Sequence, residues 1–357
     1  MSKYEQIKEQ LKQQALNARP HTRLSSVREL MRMFGASQSP VMRAVHDLMD
    51  DGIVDCRAGV GIVAGGKVKT QVSRPGHSAQ YKILYITVDY FSENLWHKEH
   101  ALNLYALQVK ADLIICRIQQ NTDLVQLIID VMNESKIHGI VLATGAERYD
   151  ARTIEFLNAL KIPVVLQDCS FNYPELSRKI IVLQPDFYQT GQLAAESFIA
   201  KGHKSICFVR NEPESDMNKL RLQGFSETAR KHGVGCLYLS DSVKSWESSL
   251  EAAVRIINNS IDKIRTRNVS ALFFDSMSGS IAALGALQRI GFRIPEDLAV
   301  IGCEDSIYAL YTNPTVTALL CDSPQMGVDS IDMIIRKTRS VPRKLYPGKL
   351  IKRESFQ

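Results

Sequence analysis

No apolar run in this 357-residue chain approaches the roughly 18 residues that a membrane-spanning helix requires. Its N-terminus, MSKYEQIKEQLKQQ, is too polar for a secretory leader. Together these predict a cytoplasmic protein with no membrane partner. Cysteine is sparse: seven residues, an odd number, with no C-x-x-C pair. Most of them sit inside apolar runs, as small buried side chains do, so neither a disulfide framework nor a zinc site is expected. The phosphate cradles of nucleotide enzymes are missing too, since there is no Walker A run and no G-x-G-x-x-G opening a helix. His97, Glu99 and His100 are the one hint of a metal site, and that spacing also suits a solvated helix face. The acids have no nucleophile beside them. No catalytic residue, metal or cofactor is expected, and the chain reads as a non-enzyme.

What is present is unevenly distributed. Residues 1–80 hold 12 Lys/Arg against 7 Asp/Glu, whereas residues 81–357 hold 32 against 31. A basic head on a near-neutral body suits a polyanionic partner for the head. Tyr4, Ile7, Leu11 and Ala15 recur at helical spacing and predict a helix over 3–18. Ser26 and Glu29 form a capping box that opens a second helix, and Gly35 suits its C-cap. A third helix starts with Ser37 as N-cap and Pro40 in the first turn, and Gly52 ends it. Its inward stripe is Val41, Ala44, Val45 and Leu48. Residues 53–55 and 60–63 pair as a hairpin around Arg57-Ala58-Gly59.

Helix, turn, helix and hairpin make a winged helix-turn-helix. Its third helix turns Gln38, Ser39, Met42, Arg43 and His46 outward. Gln and Arg make bidentate contacts to base edges, and Ser adapts to base or phosphate. Arg23, Arg28 and Arg57 are placed to neutralise phosphates, and Gly59 and Gly61 let the backbone of the wing approach a duplex. The pattern of Leu24, Ser26, Arg28, Glu29 and Leu30, then Gly35, Ser37, Val41, Arg43, Ala44, Val45 and Leu48, then Gly52, Ile53, Val54, Arg57, Gly59, Gly61 and Val63, resembles the GntR-type DNA-binding head over residues 3–66. That resemblance implies double-stranded DNA as partner. The sequence departs from the family pattern at Gln38, Pro40 and Val60, which implies an operator unlike the common ones. Residues 67–80, with three basic residues and Pro75-Gly76, read as a linker.

From residue 81 short apolar runs alternate with helical patterns. Strands are predicted at 83–88, 113–116, 139–143, 164–166, 180–183, 205–209, 271–274 and 298–301. The helices between them are predicted at 95–108, 122–135, 153–160, 187–201, 219–232, 246–258, 278–290 and 324–336. Such alternation gives α/β lobes with parallel sheets. Acids follow several strands: Asp89, Asp168, Asp275 and Glu304. In open α/β sheets that edge lines the ligand crevice. With Tyr90, Phe91, Trp246, Phe274 and Arg221 they would offer flat apolar faces and polar orienting groups to a polyhydroxylated molecule. Each acid could equally be a helix N-cap, Asp275 most of all.

Asp186-x-x-x-x-Gly191, Gly202-His203-Lys204, Arg221-x-x-Gly224-Phe225, the run Gly291 to Gly302, Glu304-Asp305, Pro314-x-x-Thr317 and Arg353-Glu354-Ser355 resemble the LacI-type, periplasmic-binding-protein-like effector domain over 81–357. The resemblance implies two lobes, 81–183 with 321–341 and 186–319 with 346–357. It implies ligand roles for Asp168, Arg221, Trp246 and Glu304. Phe274 stands where an Asn is common, and Glu304 is one methylene longer than the usual aspartate. The combined reading is a homodimeric, ligand-responsive repressor whose effector is a sugar or sugar derivative. Two other readings stay open from sequence: a binding protein whose head serves dimerisation, and an enzyme acting on glycosides.

Overall fold

The computed structural model describes residues 3–18, 22–50, 53–57, 61–64, 80–90, 92–119, 121–144, 149–168, 176–177, 180–245, 247–336 and 343–357. The chain divides into two compact units, Met1–Gln71 and Val72–Gln357. The predicted linker lies, but for Gln80, outside the described residues.

In the first unit α1 (Lys3–Asn17), α2 (Val27–Phe34) and α3 (Gln38–Asp50) precede a two-stranded wing, β1 (Val54–Arg57) and β2 (Gly61–Ala64). Ser26 Oγ accepts from the Glu29 amide at 3.3 Å, and the Ser26 amide donates to Glu29 Oε2 at 2.7 Å. Those bonds satisfy two of the orphan donors that any helix start leaves. Gly35 ends α2 at φ 53°, a left-handed conformation that costs glycine nothing. Val41, Ala44, Val45 and Leu48 are fully buried against Ile7, Leu11 and Leu30. The wing differs from its predicted register. Arg57 is the last residue of β1 and pairs with Gly61, so it precedes the tip rather than forming it. Arg23 adds a short antiparallel bridge to Val63, and the Leu24 amide bonds Ile62 O at 2.9 Å.

The second unit contains two six-stranded sheets. In chain order it comprises β3 (Tyr81–Val88), α4 (Glu93–Gln108), β4 (Ala111–Ile118), α5 (Leu124–Glu134), β5 (Gly139–Ala143), α6 (Ala151–Ala159), β6 (Val164–Gln167) and β7 (Ile180–Pro185). Next come α7 (Phe187–Ala200), β8 (Ser205–Arg210), α8 (Asp216–Lys231), β9 (Gly235–Ser240), α9 (Ser249–Asn258), α10 (Ile261–Thr266), β10 (Ala271–Phe274), α11 (Met277–Arg289) and β11 (Ala299–Cys303). A 3-10 turn (Ile307–Leu310), β12 (Thr317–Leu320), α12 (Ser323–Ile335), β13 (Arg343–Tyr346) and β14 (Lys349–Ile351) close it. The first sheet runs β13-β7-β6-β5-β3-β4 and is parallel throughout. The second runs β14-β12-β11-β10-β8-β9, with only β14 antiparallel.

Period-2 alternation divides each sheet between two cores. Ile83 and Tyr85 face α4 and α12, while Leu84 and Ile86 face α5 and α6. Ala271 and Phe273 face α7 and α8, while Leu272 and Phe274 face α9 and α11. The chain passes between the lobes at 185–187, 320–323 and 346–349. The last passage falls later than the gap between 341 and 346 that the resemblance implies, because β13 stays with the first sheet and bonds β7. Short edge strands such as β13 and β14 carry too few apolar residues to be recognised by pattern alone.

Candidate functional site

Both sheets reverse strand order beside their first strand: β3 has β4 on one side and β5 on the other, and β8 has β9 and β10. A crevice opens beyond the carboxyl ends at such a switch point. Tyr90 and Asp168 follow strands of the first sheet; Asn211, Glu212, Asp275, Ser276 and Glu304 follow strands of the second. Hydrogen bonds cross between the lobes here. Asn94 Nδ2, in the first turn of α4, donates to Glu304 Oε1 at 2.7 Å, and the Ile307 amide donates to Glu93 Oε1 at 3.3 Å. The Tyr90 hydroxyl is hydrogen-bonded to Ser249.

Each lobe buries an ion-paired cation at this edge, and the second also buries Arg210, which donates to Glu212 O at 2.8 Å and to Asp241 O at 3.1 Å. Lys98, fully buried on α4, is ion-paired with Asp168. Arg221, buried on α8, is ion-paired with Asp275, which is itself buried. Close helix packing sets both paired cations. A Cβ on Gly327 of α12 would stand 2.3 Å from Lys98 O, and one on Gly191 of α7 would stand 1.9 Å from Arg221 O. Only hydrogen at those positions lets the helices approach so closely. Asp168 and Glu304 adopt φ values of 53° and 68°. A left-handed backbone at a non-glycine residue costs energy and clusters at ligand sites.

The acids of the second lobe crowd one another. Glu212 is hydrogen-bonded to Ser276 and Ser249, but desolvation and the neighbouring Asp275 outweigh those bonds and push its carboxyl up to about 7. Glu304 opens to the crevice, yet the protein around it thins its water, and that desolvation raises its carboxyl against the pull of Lys98 and Arg221. Beneath them Asn211 is fully buried; its Nδ2 donates to Ser276 Oγ at 2.6 Å while its Oδ1 has no partner among the described residues. The Arg221 Nε is likewise buried and unpartnered. Both orphaned atoms lie sealed beneath the polar edge of the second lobe.

Of the residues expected to bind ligand, Asp168, Arg221, Asp275, Glu304 and Tyr90 lie at the facing sheet edges. Phe274 is corrected: it is fully buried in the core with Cys207, Val209 and Ala283, so it gives the crevice no aromatic face. Phe91 and Trp246 lie outside the described residues. None of the four predicted acids is the N-cap of a described helix; Ser92, Ser276 and Ser306 cap α4, α11 and the 3-10 turn. Sequence reasoning missed Asn94, Lys98, Asn211 and Glu212. Glu212 obeys the same acid-after-strand rule, two residues beyond β8. Lys98 gives no such signal, since a lysine in a helix reads as solvated.

In the first unit Arg23, Arg28, Ser37, Gln38 and Arg43 are exposed and Pro40 is half-buried. The Arg43 guanidinium lies over the Tyr4 ring at 4.9 Å, and the Tyr4 hydroxyl bonds Asp47. For Ser39 and Arg57 only the backbone is described, and Gly59 lies outside the described residues. Among the described residues no group of His, Cys, Asp and Glu could hold a metal, and no helix is long and apolar enough to cross a membrane.

Residues 3–63 match the gntR family of bacterial regulatory proteins, and residues 195–356 match the periplasmic binding protein-like domain. The chain is 23% identical to an arabinose metabolism transcriptional repressor of Halalkalibacterium halodurans, over 99% of this chain and 96% of that one. It is 21% identical to an HTH-type transcriptional repressor PurR of Actinobacillus pleuropneumoniae, over 67% and 68%. Among solved structures it is similar to a periplasmic binding protein/LacI transcriptional regulator of Alkaliphilus metalliredigens complexed with D-xylulofuranose. There the TM-score is 0.61 and the identity 18%, over 78% of this chain and all of that one. The chain thus joins a head of the gntR family of bacterial regulatory proteins to a body that carries the periplasmic binding protein-like domain.

Proposed function

We propose that the protein is a repressor whose head binds a DNA operator and whose body closes on a sugar or sugar derivative that controls that binding. The observation that carries this reading is the built crevice: two buried cation–carboxylate pairs, one per lobe, with orphaned buried polar atoms beside them and hydrogen bonds that bridge the lobes. The arabinose-metabolism repressor aligned along nearly the whole chain and the D-xylulofuranose of the solved relative support it. Tyr90, Phe91, Asp168, Arg221, Trp246, Asp275 and Glu304 are assigned to the ligand.

On the DNA side Gln38, Ser39 and Arg43 read bases, Ser37 and Pro40 shape the entry of α3, and Arg23, Arg28, Arg57 and Gly59 meet the backbone. A homodimer is assigned from exposed apolar side chains on both lobes: Trp96, Leu104 and Leu107 on α4, and Ile307, Tyr308, Leu310 and Tyr311 around the 3-10 turn. The Glu93–Ile307 bond makes the two patches neighbours. Gel shifts with DNA from upstream of the protein's own gene test the reading. The wild type gives a salt-sensitive, sequence-dependent shift, and Arg43→Ala and Gln38→Ala weaken or redirect it while ligand binding stays intact. Normal operator binding by both variants would overturn the assignment of α3.

A further inference from the structure

The backbone around Glu304 is pinned, and only its side chain is left to reach across the crevice. The Glu304 amide donates to Leu319 O at 2.7 Å, near the end of β12. Its neighbour Asp305 is gripped by Arg353, from Nη1 at 2.8 Å and from Nη2 at 2.7 Å, and Arg353 Nη1 also donates to Val316 O at 2.8 Å. From that base Glu304 Oε1 accepts from Asn94 Nδ2 of the other lobe at 2.7 Å. The far end of the same amide, Asn94 Oδ1, accepts from Ser323 Oγ. Ser323 opens α12, just where the chain has crossed from β12 into the first lobe. The bonds close a ring around one passage between the lobes: Leu319 to Glu304, Glu304 to Asn94, Asn94 to Ser323, and the chain from Ser323 back to Leu319. Its first-lobe side is stiff as well. Tyr105 Oη donates to Asp332 Oδ1 at 2.6 Å, and Gly327 lets α12 lie directly against α4.

From this ring we infer that Asn94 is a positioning residue for the effector: it ties one oxygen of Glu304 to the passage between the lobes and leaves the other, Oε2, to the ligand. The inference rests on the ligand crevice proposed above and adds how that crevice is joined to the point about which the lobes move. A carboxylate accepts several donors at once, so a ligand hydroxyl on Oε2 and the Asn94 amide on Oε1 reinforce each other. A side chain that is already aimed loses less freedom when the ligand arrives. The length of glutamate is essential. With the backbone pinned, an aspartate would end about 1.5 Å short, beyond hydrogen-bonding reach of Asn94.

Hydrogen exchange of the full-length protein without sugar tests the ring, read at the Ile307 amide, whose bond to Glu93 also crosses between the lobes. Asn94→Ala and Glu304→Asp each speed that exchange about fivefold, and the double variant goes no faster than either. Ser323→Ala speeds it by a smaller factor, and because Asp322 caps α12 this variant costs the helix no cap. Glu304→Gln keeps both the length and an acceptor and exchanges like the wild type. Wild-type exchange in Glu304→Asp, or effects of Asn94→Ala and Glu304→Asp that multiply, would overturn the inference. A thermal-shift and calorimetry series with pentoses and hexoses tests the positioning role. The sugar that binds the wild type most tightly binds Asn94→Ala about fivefold more weakly. Unchanged affinity in Asn94→Ala would overturn that role while leaving the sugar crevice standing. No sugar bound by the wild type would overturn the crevice and the positioning role together, and the exchange result would still decide the ring.

Discussion

The two lobes solve the same problem with different cations. Each places a cation–carboxylate pair at the carboxyl edge of its sheet, and each presses the cation's helix onto a glycine of the neighbouring helix. In the first lobe the lysine is fully buried and its aspartate is 24% exposed; in the second the arginine and aspartate are 10% and 2% exposed. A buried lysine can lose its proton when its partner goes, whereas arginine stays charged. The first pair is therefore adaptable and the second is rigid. The second lobe also carries Glu212 and Glu304 at this edge. The first lobe contributes Asn94 and Tyr90, which report closure.

The largest way to break the comparison is to remove the aspartates. Asp275→Ala strands a permanent buried charge and costs about 3–5 kcal/mol in chemical denaturation, whereas Asp168→Ala costs about half as much. Equal losses would mean that the two cations are not different in kind. Gly191→Ala and Gly327→Ala come next, each forcing two helix backbones apart for about 2–3 kcal/mol, and Gly191→Ala weakens ligand binding by displacing Arg221.

Glu212→Gln works the other way. The folded protein raises this carboxyl to about 7, so the wild type loses stability as pH rises from the ordinary glutamate value through 7. The variant escapes that loss and is about 2 kcal/mol more stable than wild type at pH 8, with no advantage at pH 4. Melting curves at the two pH values decide it. The smallest effect belongs to Asn94→Ala, which removes the hydrogen bond to Glu304. About 1 kcal/mol of closure is lost, seen as an increase in the unliganded radius of gyration by X-ray scattering.

Much of this was legible beforehand because local rules agreed with the fold. Ser26 and Glu29 formed their capping box, Gly35 its left-handed cap, and Val41, Ala44, Val45 and Leu48 their buried stripe. The acid-after-strand pattern found Asp168, Asp275 and Glu304 at the crevice. It failed for Phe274 because β10 is buried on both faces, so its residues lie beneath the crevice rather than on its wall. Lys98 was invisible for the opposite reason. What makes it a site residue is α12 packed against α4 and an aspartate 70 residues away, and neither leaves a mark in the sequence around it. The strands β9, β13 and β14 were missed because edge strands of three to six residues carry little hydrophobic pattern, and β12, inside its sheet, because four residues are too few to show one.

The central claim is that occupancy of the crevice controls the head. It is tested most directly by fluorescence anisotropy of an operator duplex titrated with protein, with and without the sugar that gives the largest thermal shift. The account predicts a change in operator Kd of fivefold or more on saturation, absent in Arg221→Ala. An operator Kd that stays the same at saturating ligand would contradict it.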